Sequence, residues 1–421
     1  MTSRLLNDAL ALSGSWLDQL DLSALVATSL RAGDSGDLDV DVVALGKASR
    51  EMAAAAATVL GGRVRRRLIV CDQESADLEP RDPGVVVGTH PVPDVASLRA
   101  GRALVEFLES PNAAPCTLFL ISGGASSLCA LPGDPLTLRD LRELWGAALA
   151  SGVDITTLNK LRAATSQIGG GAVLRLVRSE RSLSLIMVDN VVSGAQWVAS
   201  GLTYDYAPGT DEFVSLLAAI GLIDTPLGAR LLDAFSSHAT SMAPTPTTRH
   251  ENRVVAQPSL VLDCVASTAR ERGYRVIELG SRVHGDVGDV VAQWEATISA
   301  ELGDGDAICV VGVGEVTVGV RGTGVGGRCQ ETAWSMAAVL DRLPREGVFV
   351  ARATDGRDYV NGVAGAWVDR STLGRARDLG IDWSAVIDDH DSHTAVAALR
   401  QLIEGAHTGW NLCDLYLALI E

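Results

Sequence analysis

The sequence has no excess of basic residues and no long apolar run, and these two absences exclude two classes of partner. Its 421 residues include 52 Asp and Glu against 35 Lys and Arg, which gives a formal net charge of −17. A chain without a basic excess is poorly suited to displace the counterions of a nucleic-acid backbone, so no nucleic-acid partner is predicted. No apolar run reaches the ~20 residues that a bilayer span needs, so no membrane partner is predicted.

Paired cysteine motifs are also absent. The seven cysteines are scattered without CxxC or Cys/His spacing, and several lie in apolar runs, where a free cysteine behaves as a small hydrophobic side chain. The first 22 residues have apolar positions at helical spacing but contain acids and no small-residue cleavage site, unlike a signal peptide. Together these features predict a cytoplasmic protein with reduced thiols.

Short β-branched runs alternate with helical patterns in the first half of the chain, which predicts a parallel sheet covered by helices. Almost every strand candidate ends at Gly, Asp, Asn or His, and in open α/β sheets ligands bind at those carboxyl ends. The candidates are RRLIVCD, PGVVVGTH, TLFLISGG, SLSLIMVDN, YRVIELG, DAICVVGVG and GVFVARATDG, with a further strand ending near Leu45. A Pro- and Ser/Thr-rich segment between about residues 236 and 260 predicts the boundary between two domains.

Three turns in the first half combine glycine or proline with reactive side chains. Lys47 follows Gly46 where a strand leads into a helix, and free N–H groups there favour an anion, although an exposed structural lysine is the alternative. The turn from Ser122 to Ser127 offers backbone N–H groups for an anion nest, or is purely structural; it lacks the GxSxG pattern of a nucleophilic serine. His90, in a loop fixed by two prolines, contacts substrate or bonds a backbone carbonyl.

A glycine-rich stretch, GVGEVTVGVRGTGVGGRCQETA at 312–333, follows a predicted strand in the second half. Its glycines allow the backbone to approach a ligand closely, although a tight hairpin would also use them. Carboxylates for a divalent cation beside arginines that neutralise transferring oxygens are what phosphoryl transfer needs. The charged residues of this stretch and of the segment after the next strand include Glu315, Arg321, Arg328, Glu331, Asp355 and Asp358.

Taken in order, these segments resemble the glycerate 2-kinase family, the group with a C-terminal MOFRL domain once labelled hydroxypyruvate reductase. The resemblance spans nearly the whole chain, and it is specific because many blocks occur in the same order, whereas any single block is not. The blocks are ALGKAS at 44–49, THPVPD at 89–94, LISGGASSL at 120–128, NKLR with SQIGGG at 159–171, VDN to ASGLT at 188–203, GEVTVGVRGTGVGGRCQE at 314–331, ATDGRD to AGA at 353–366, and TGWNLCDL at 408–415.

The resemblance implies an α/β fold. It implies a Rossmann-like αβα sandwich over residues 1–240 and a smaller, MOFRL-type α/β domain over 241–421, with a cleft between them. It also implies an ATP- and Mg²⁺-dependent kinase that phosphorylates a hydroxyl of glycerate or of a related small hydroxy acid or polyol. The partners are then a small-molecule substrate and a nucleotide, with a homodimer left open.

Site residues follow from the resemblance position by position. The catalytic group is Lys47, Arg328 and Asp355. The nucleotide-binding group is Ser122, Gly123, Gly124, Ser126, Asn159, Gly326 and Gly327. The substrate-binding group is His90, Arg162, Glu315 and Arg321, and the metal-binding carboxylates are Asp189 and Asp355.

Departures from the family pattern keep two other functions open. Charged or polar family residues are replaced here by Ala163, Ala164, Gly169, Ala172, Ser193, Gly194, Cys329 and Gly362, and Tyr359 stands in place of glycine. Loss of charged partners changes a binding site strongly, so one alternative is an enzyme repurposed for a bulkier or less anionic substrate, with Tyr359, Trp197 and Trp410 lining an apolar wall. The other is a catalytically silent binding protein. An oxidoreductase is disfavoured because no GxGxxG joins a first strand to a helix.

Overall fold

The chain folds as two compact units, each with its own sheet. The computed structural model describes residues 4–31, 38–73, 83–192, 194–241, 248–303 and 305–421. The N-terminal unit is Leu22–Ala256, and the C-terminal unit combines Met1–Asp21 with Gln257–Glu421. Both units are α/β, which confirms the predicted fold class.

The elements of the described residues follow in chain order. The strands are β1 Val40–Leu45, β2 Val64–Cys71, β3 Val85–Val87, β4 Cys116–Ile121, β5 Arg181–Met187, β6 Arg249–Ala256, β7 Arg275–Asp286, β8 Ile308–Thr317, β9 Gly347–Ala353, β10 Val363–Asp369, β11 Leu402–Glu404 and β12 Asp414–Ile420. The α-helices are α1 Arg4–Gln19, α2 Leu22–Arg31, α3 Ser49–Leu60, α4 Val95–Glu109, α5 Ala125–Leu128, α6 Leu138–Ala150, α7 Ile155–Ala164, α8 Thr210–Ala219, α9 Pro226–Ser241, α10 Ser259–Glu271, α11 Val287–Glu301, α12 Arg328–Arg342, α13 Thr372–Asp378, α14 Trp383–Asp389 and α15 Ser392–Ala398.

The N-terminal unit contains a six-stranded parallel sheet in the order β3-β2-β1-β4-β5-β6. Every residue of β1 and β4 is buried, which is why these strands read as continuous apolar runs. Val43 and Leu45 of β1 share a hydrophobic cluster with α4, whereas α2 and α3 contact the sheet without joining that cluster. Helices therefore cover both faces, as the alternating pattern predicts.

The C-terminal unit contains a mixed six-stranded sheet in the order β11-β10-β9-β12-β8-β7. Only the β7 and β8 pair is parallel; the other pairs in this sheet are antiparallel. The last strand, β12, is fully buried between β8 and β9. Its Tyr416 packs in one core with Trp294, Trp334 and Phe349.

The division into units differs from the predicted boundary at residue 240. Strand β6 completes the parallel sheet, so the N-terminal unit continues to Ala256. Helix α1 belongs to the C-terminal unit, where it contacts α10, β9 and β12. Trp16 of α1 is fully buried, with its ring centroid 6.4 Å from that of Trp410. Contacts between residues so distant in sequence leave no local pattern, which is why the sequence did not indicate them.

Two smaller predictions concern membranes and thiols. Across the described ranges, no helix is both long and apolar enough to cross a bilayer. All seven cysteines lie within those ranges, and none forms a disulfide.

Candidate active site

Two turns interlock at the carboxyl ends of β1 and β4. The N–H of Lys47 donates to the carbonyl oxygen of Gly123 at 2.9 Å. The N–H of Ala48 donates to the Ser122 hydroxyl at 3.1 Å, so this buried hydroxyl joins the turns. Gly46 has a φ of 119°, and a Cβ there would lie 2.4 Å from the Ser122 carbonyl oxygen, so only glycine fits. Main-chain bonds thus hold Lys47 against the predicted glycine turn.

Lys47, His90 and Gly124 lie side by side at this edge of the sheet. Gly124 has a φ of 82°, and a Cβ there would lie 3.2 Å from Lys47 Cγ and 3.3 Å from His90 Cδ2. Lys47 is half-buried and His90 is exposed. The structure therefore brings together three residues that the sequence predicts for one site. An ammonium group beside the N–H groups of a glycine turn is a suitable environment for an anion.

A chain of polar side chains leads away from the glycine turn. The Ser126 and Ser200 hydroxyl oxygens are 2.7 Å apart, and the Ser200 hydroxyl donates to Asn159 Oδ1 at 3.2 Å. Ala199 and Ser200 both have a φ of 54°, a left-handed conformation that non-glycine residues adopt only when their surroundings impose it. Ser200 was not among the predicted site residues. Its only sequence signal is its place in the ASGLT block.

The predicted metal-binding carboxylates lie in different units. Asp189 follows β5 at the same sheet edge as Lys47, and Asp355 lies in the C-terminal unit. Beside Asp189, Asn190 Oδ1 accepts a hydrogen bond from the Gly194 N–H at 2.8 Å, while Ser193 lies outside the described residues. In the part of the chain that the structure describes, no three His, Cys, Asp or Glu side chains are grouped to hold a metal ion. The magnesium site stays a prediction.

Arg162 lies on α7 with its guanidinium carbon 4.2 Å from the centre of the Trp145 ring. It lines a cavity of about 30 Å³ in the N-terminal unit, together with Ser126 and Ser200 of the polar chain. Gly169, one of the departures from the family pattern, lines the same cavity. Arg162 is therefore placed with the predicted nucleotide-binding residues of the same unit.

Arg328 and Glu315, both predicted site residues, form an ion pair in the C-terminal unit. Arg328 is the first residue of α12, and its guanidinium also lies 3.2 Å from Asp414 Oδ2. Burial raises the pKa of Asp414 to about 7, against the opposing effect of Arg328. Asp414 in turn is the main cause of a raised pKa for Arg328. Asp414 was not among the predicted site residues. Its signal is an acid at the start of an otherwise apolar strand, DLYLALI.

Contacts within the protein are enough to explain why glycine stands at positions 326 and 327. A Cβ at Gly327 would lie 2.3 Å from Asp358 Cγ, and a Cβ at Gly326 would lie 2.2 Å from Ser392 Oγ. Asp358 is buried and accepts hydrogen bonds from the N–H groups of Cys329 and Gln330 at 3.1 and 2.8 Å, which caps α12. The glycines make room for this cap. Whether they also contact a nucleotide stays a prediction.

Cys329, which replaces a family asparagine, is fully buried in the C-terminal core. Burial raises the pKa of its thiol far above the ordinary value, so it is an inert packing residue. This departure therefore changes core packing and does not supply a reactive group.

The remaining predicted residues of the C-terminal unit are dispersed. Arg321 is exposed. Residues 318–327 form a loop, so the tight-hairpin alternative is wrong. Trp410 is buried against α1 and is not part of an exposed apolar wall. Tyr359 is 74% exposed with a φ of 62°.

Replacement of Asp414 by asparagine is expected to change how stability depends on pH. Folded Asp414 has a pKa of about 7, above the ~3.9 of an unfolded aspartate, so the folded state holds this proton more tightly. Its contribution to stability is complete below about pH 4 and is lost as the pH rises to about 7. Relative to wild type, Asp414→Asn should therefore gain about 3 kcal/mol over this window. Urea unfolding of both proteins across the window measures this difference, and a constant difference would contradict it.

Comparisons with known proteins agree with this architecture over the whole chain. The family model described as "Domain of unknown function (DUF4147)" matches residues 9–230, and the MOFRL family model matches residues 308–414.

The D-glycerate 2-kinase of Thermotoga maritima is 29% identical over 90% of this chain and 90% of its own. The glycerate kinase of Rattus norvegicus is 28% identical over 90% of this chain and 84% of its own. A crystal structure of glycerate kinase from Thermotoga maritima matches with a TM-score of 0.82 and 26% identity, covering 99% of both chains. The chain therefore belongs to the glycerate 2-kinase family, in which a DUF4147 domain is joined to a MOFRL domain.

Proposed function

We propose that the protein is an ATP-dependent kinase that phosphorylates a hydroxyl of glycerate or of a related small hydroxy acid. The observation that carries this proposal is the position of Lys47. Its main chain is bonded to Gly123, and its side chain lies beside Gly124 and His90 at the carboxyl edge of a parallel sheet. Relatives named glycerate kinase support the reaction class.

The glycine turn and Lys47 together offer the donors and the charge that a phosphate group needs. A Cβ at Gly124 would lie only 3.2 Å from Lys47 Cγ, so glycine allows the Lys47 side chain to pack directly against the turn. Backbone N–H groups of the turn would bind phosphate oxygens, and the Lys47 ammonium would offset the negative charge that develops on the transferring group. Catalysis would then depend on positioning and charge neutralisation more than on covalent chemistry.

Magnesium at kinase sites takes one or two protein carboxylates and is otherwise held by substrate phosphates and water. A cluster of three acids is therefore not required, and the half-buried carboxylates Asp189 and Asp355 fit the role of single ligands. Bound magnesium would neutralise charge on the phosphates. Within the C-terminal unit, the carboxylates of Glu315 and Asp414 balance the charge of Arg328.

The test is ADP release from Mg·ATP by the purified protein, with D-glycerate, L-glycerate, lactate, glycerol and hydroxypyruvate as separate acceptors. We expect ADP release that requires D-glycerate or one of the other hydroxy acids. Release with glycerol alone, and none with any of the acids, would favour the repurposed-enzyme alternative. Oxidation of NADH or NADPH with hydroxypyruvate, and no ADP release, would instead identify a reductase. No binding of Mg·ATP by calorimetry at millimolar nucleotide would overturn the kinase proposal.

A further inference from the structure

Arg328 is paired with two carboxylates that differ in burial. Its Nη2 atom lies 3.2 Å from Asp414 Oδ2, and its Nη1 atom donates to Glu315 Oε1. The Asp414 side chain is 3% exposed, whereas the side chains of Glu315 and Arg328 are 39% and 40% exposed. One nitrogen of the guanidinium therefore faces a buried acid, and the other is paired with an acid that solvent can reach.

Asp414 is fixed in place by the sheet. It is the first residue of β12, which lies between β8 and β9 and pairs with both. Its Oδ2 atom accepts a hydrogen bond from the fully buried Tyr416 hydroxyl at 3.3 Å. That hydroxyl oxygen accepts a hydrogen bond from the Val316 N–H at 3.3 Å, which ties it to β8. A carboxylate held in this way keeps Nη2 of Arg328 in one position, whatever pairs with Nη1.

Glu315 is held less firmly than Asp414. It lies near the end of β8, two residues before the loop 318–327 begins. An ion pair that solvent reaches contributes little to stability, so a group with more negative charge can replace Glu315, whereas separating a buried acid from its partner is costly. Arg328 itself begins α12, where the helix dipole disfavours a cation, so helix stability does not explain an arginine at this position.

We infer that Asp414 positions the guanidinium of Arg328 for a phosphate group, and that Glu315 is the exchangeable counter-ion that this group replaces. Nη1 would then donate to a phosphate oxygen while Nη2 stays on Asp414. This gives Glu315 a different role from the substrate binding that the family resemblance implies. The inference rests on the proposed function, because it states how the same enzyme would present Arg328 to the phosphate that it handles.

Pyrophosphate binding without magnesium tests the role of Glu315. Calorimetry on the full chain at about pH 8, where Asp414 with its pKa of about 7 is mostly ionised, would compare wild type, Glu315→Gln, Arg328→Met and the double variant Glu315→Gln with Arg328→Met. We expect Glu315→Gln to bind roughly two- to fivefold more tightly than wild type, and this gain to disappear without Arg328. Glu404→Gln is the matched control, because it removes an exposed acid from β11 of the same sheet and should bind as wild type does.

The role of Asp414 is tested by separating kcat from KM in ADP release from Mg·ATP. Asp414→Asn should lower kcat by about tenfold or more, because the guanidinium is no longer held in one position. Its KM for Mg·ATP should stay the same or fall, since the neutral amide removes a negative charge from beside Arg328. A loss of structure would instead lower kcat, raise KM and lower the Tm together. In the Arg328→Met background, Asp414→Asn should lower kcat no further, because no guanidinium remains to be positioned.

A crystal structure with pyrophosphate gives a readout that does not depend on turnover. We expect a phosphate oxygen within hydrogen-bond distance of Arg328 Nη1, with Nη2 still on Asp414 and Glu315 turned away. This arrangement without ADP release from Mg·ATP would leave the inference standing and overturn only the kinase proposal. ADP release with an unchanged kcat in Asp414→Asn would do the reverse. Weaker pyrophosphate binding by Glu315→Gln, or no binding that depends on Arg328, would also overturn the inference.

Discussion

Replacement of Lys47 by methionine is expected to lower kcat/KM for phosphoryl transfer by roughly 10²–10³-fold, the usual effect of removing one group that stabilises transition-state charge. The Lys47 side chain lies beside Gly124 at the sheet edge, whereas the position of the backbone depends on main-chain bonds that methionine keeps. The fold and the Tm should therefore change little. ADP release under saturating Mg·ATP, with a thermal unfolding curve for each protein, measures both quantities.

Lys160 provides the control for this experiment, because it is the only other lysine in the sequence. Its Nζ pairs with Glu212 at 2.9 Å and lies 5.8 Å from the centre of the Tyr206 ring. Lys160→Met removes the same charge from the same unit, and we expect it to keep activity within a few-fold of wild type. Equal activity of the two variants would show that Lys47 does not act on the transferring group. An equal loss in both would point to net charge or to folding.

The parallel sheet and the lysine turn were predictable from the sequence because both are local patterns. Buried strands such as β1 read as apolar runs, and a Gly-Lys pair after such a run marks a strand-to-helix turn. Strand β6 was missed because it is an edge strand whose sequence, RHENRVVA, is mostly polar and partly exposed. A half-solvated edge strand has no apolar run to reveal it.

Side-chain pairing was not predictable in the same way. Asp414 and Arg328 are 86 residues apart in the sequence, and they meet because β12 pairs with β8. No sequence spacing encodes that contact. The surroundings of Arg162 are likewise a property of the packed unit. Resemblance to the family identified Arg162 as a site residue, but the sequence could not show that it is half-buried at the edge of a cavity, with its Nε atom buried and without a hydrogen-bond partner.

Replacement of Arg328 by methionine is expected to destabilise the C-terminal unit, because it leaves Asp414 buried without its counter-charge. Arg328 lowers the pKa of Asp414, so without it that pKa must rise above about 7. Asp414 is protonated in both proteins at about pH 5, where the electrostatic loss should be small. At about pH 8, one unit above the wild-type pKa, the loss should reach at most about 1.4 kcal/mol.

The double variant Arg328→Met with Asp414→Asn separates this electrostatic effect from lost packing. Since the asparagine carries no charge, the double variant should recover most of the stability at about pH 8 and show little dependence on pH between there and about pH 5. Urea unfolding of the wild type, both single variants and the double variant gives the coupling free energy between the two residues. If Arg328→Met loses the same stability at both pH values, the loss comes from packing of the arginine stem, and Asp414 does not depend on Arg328 for its charge.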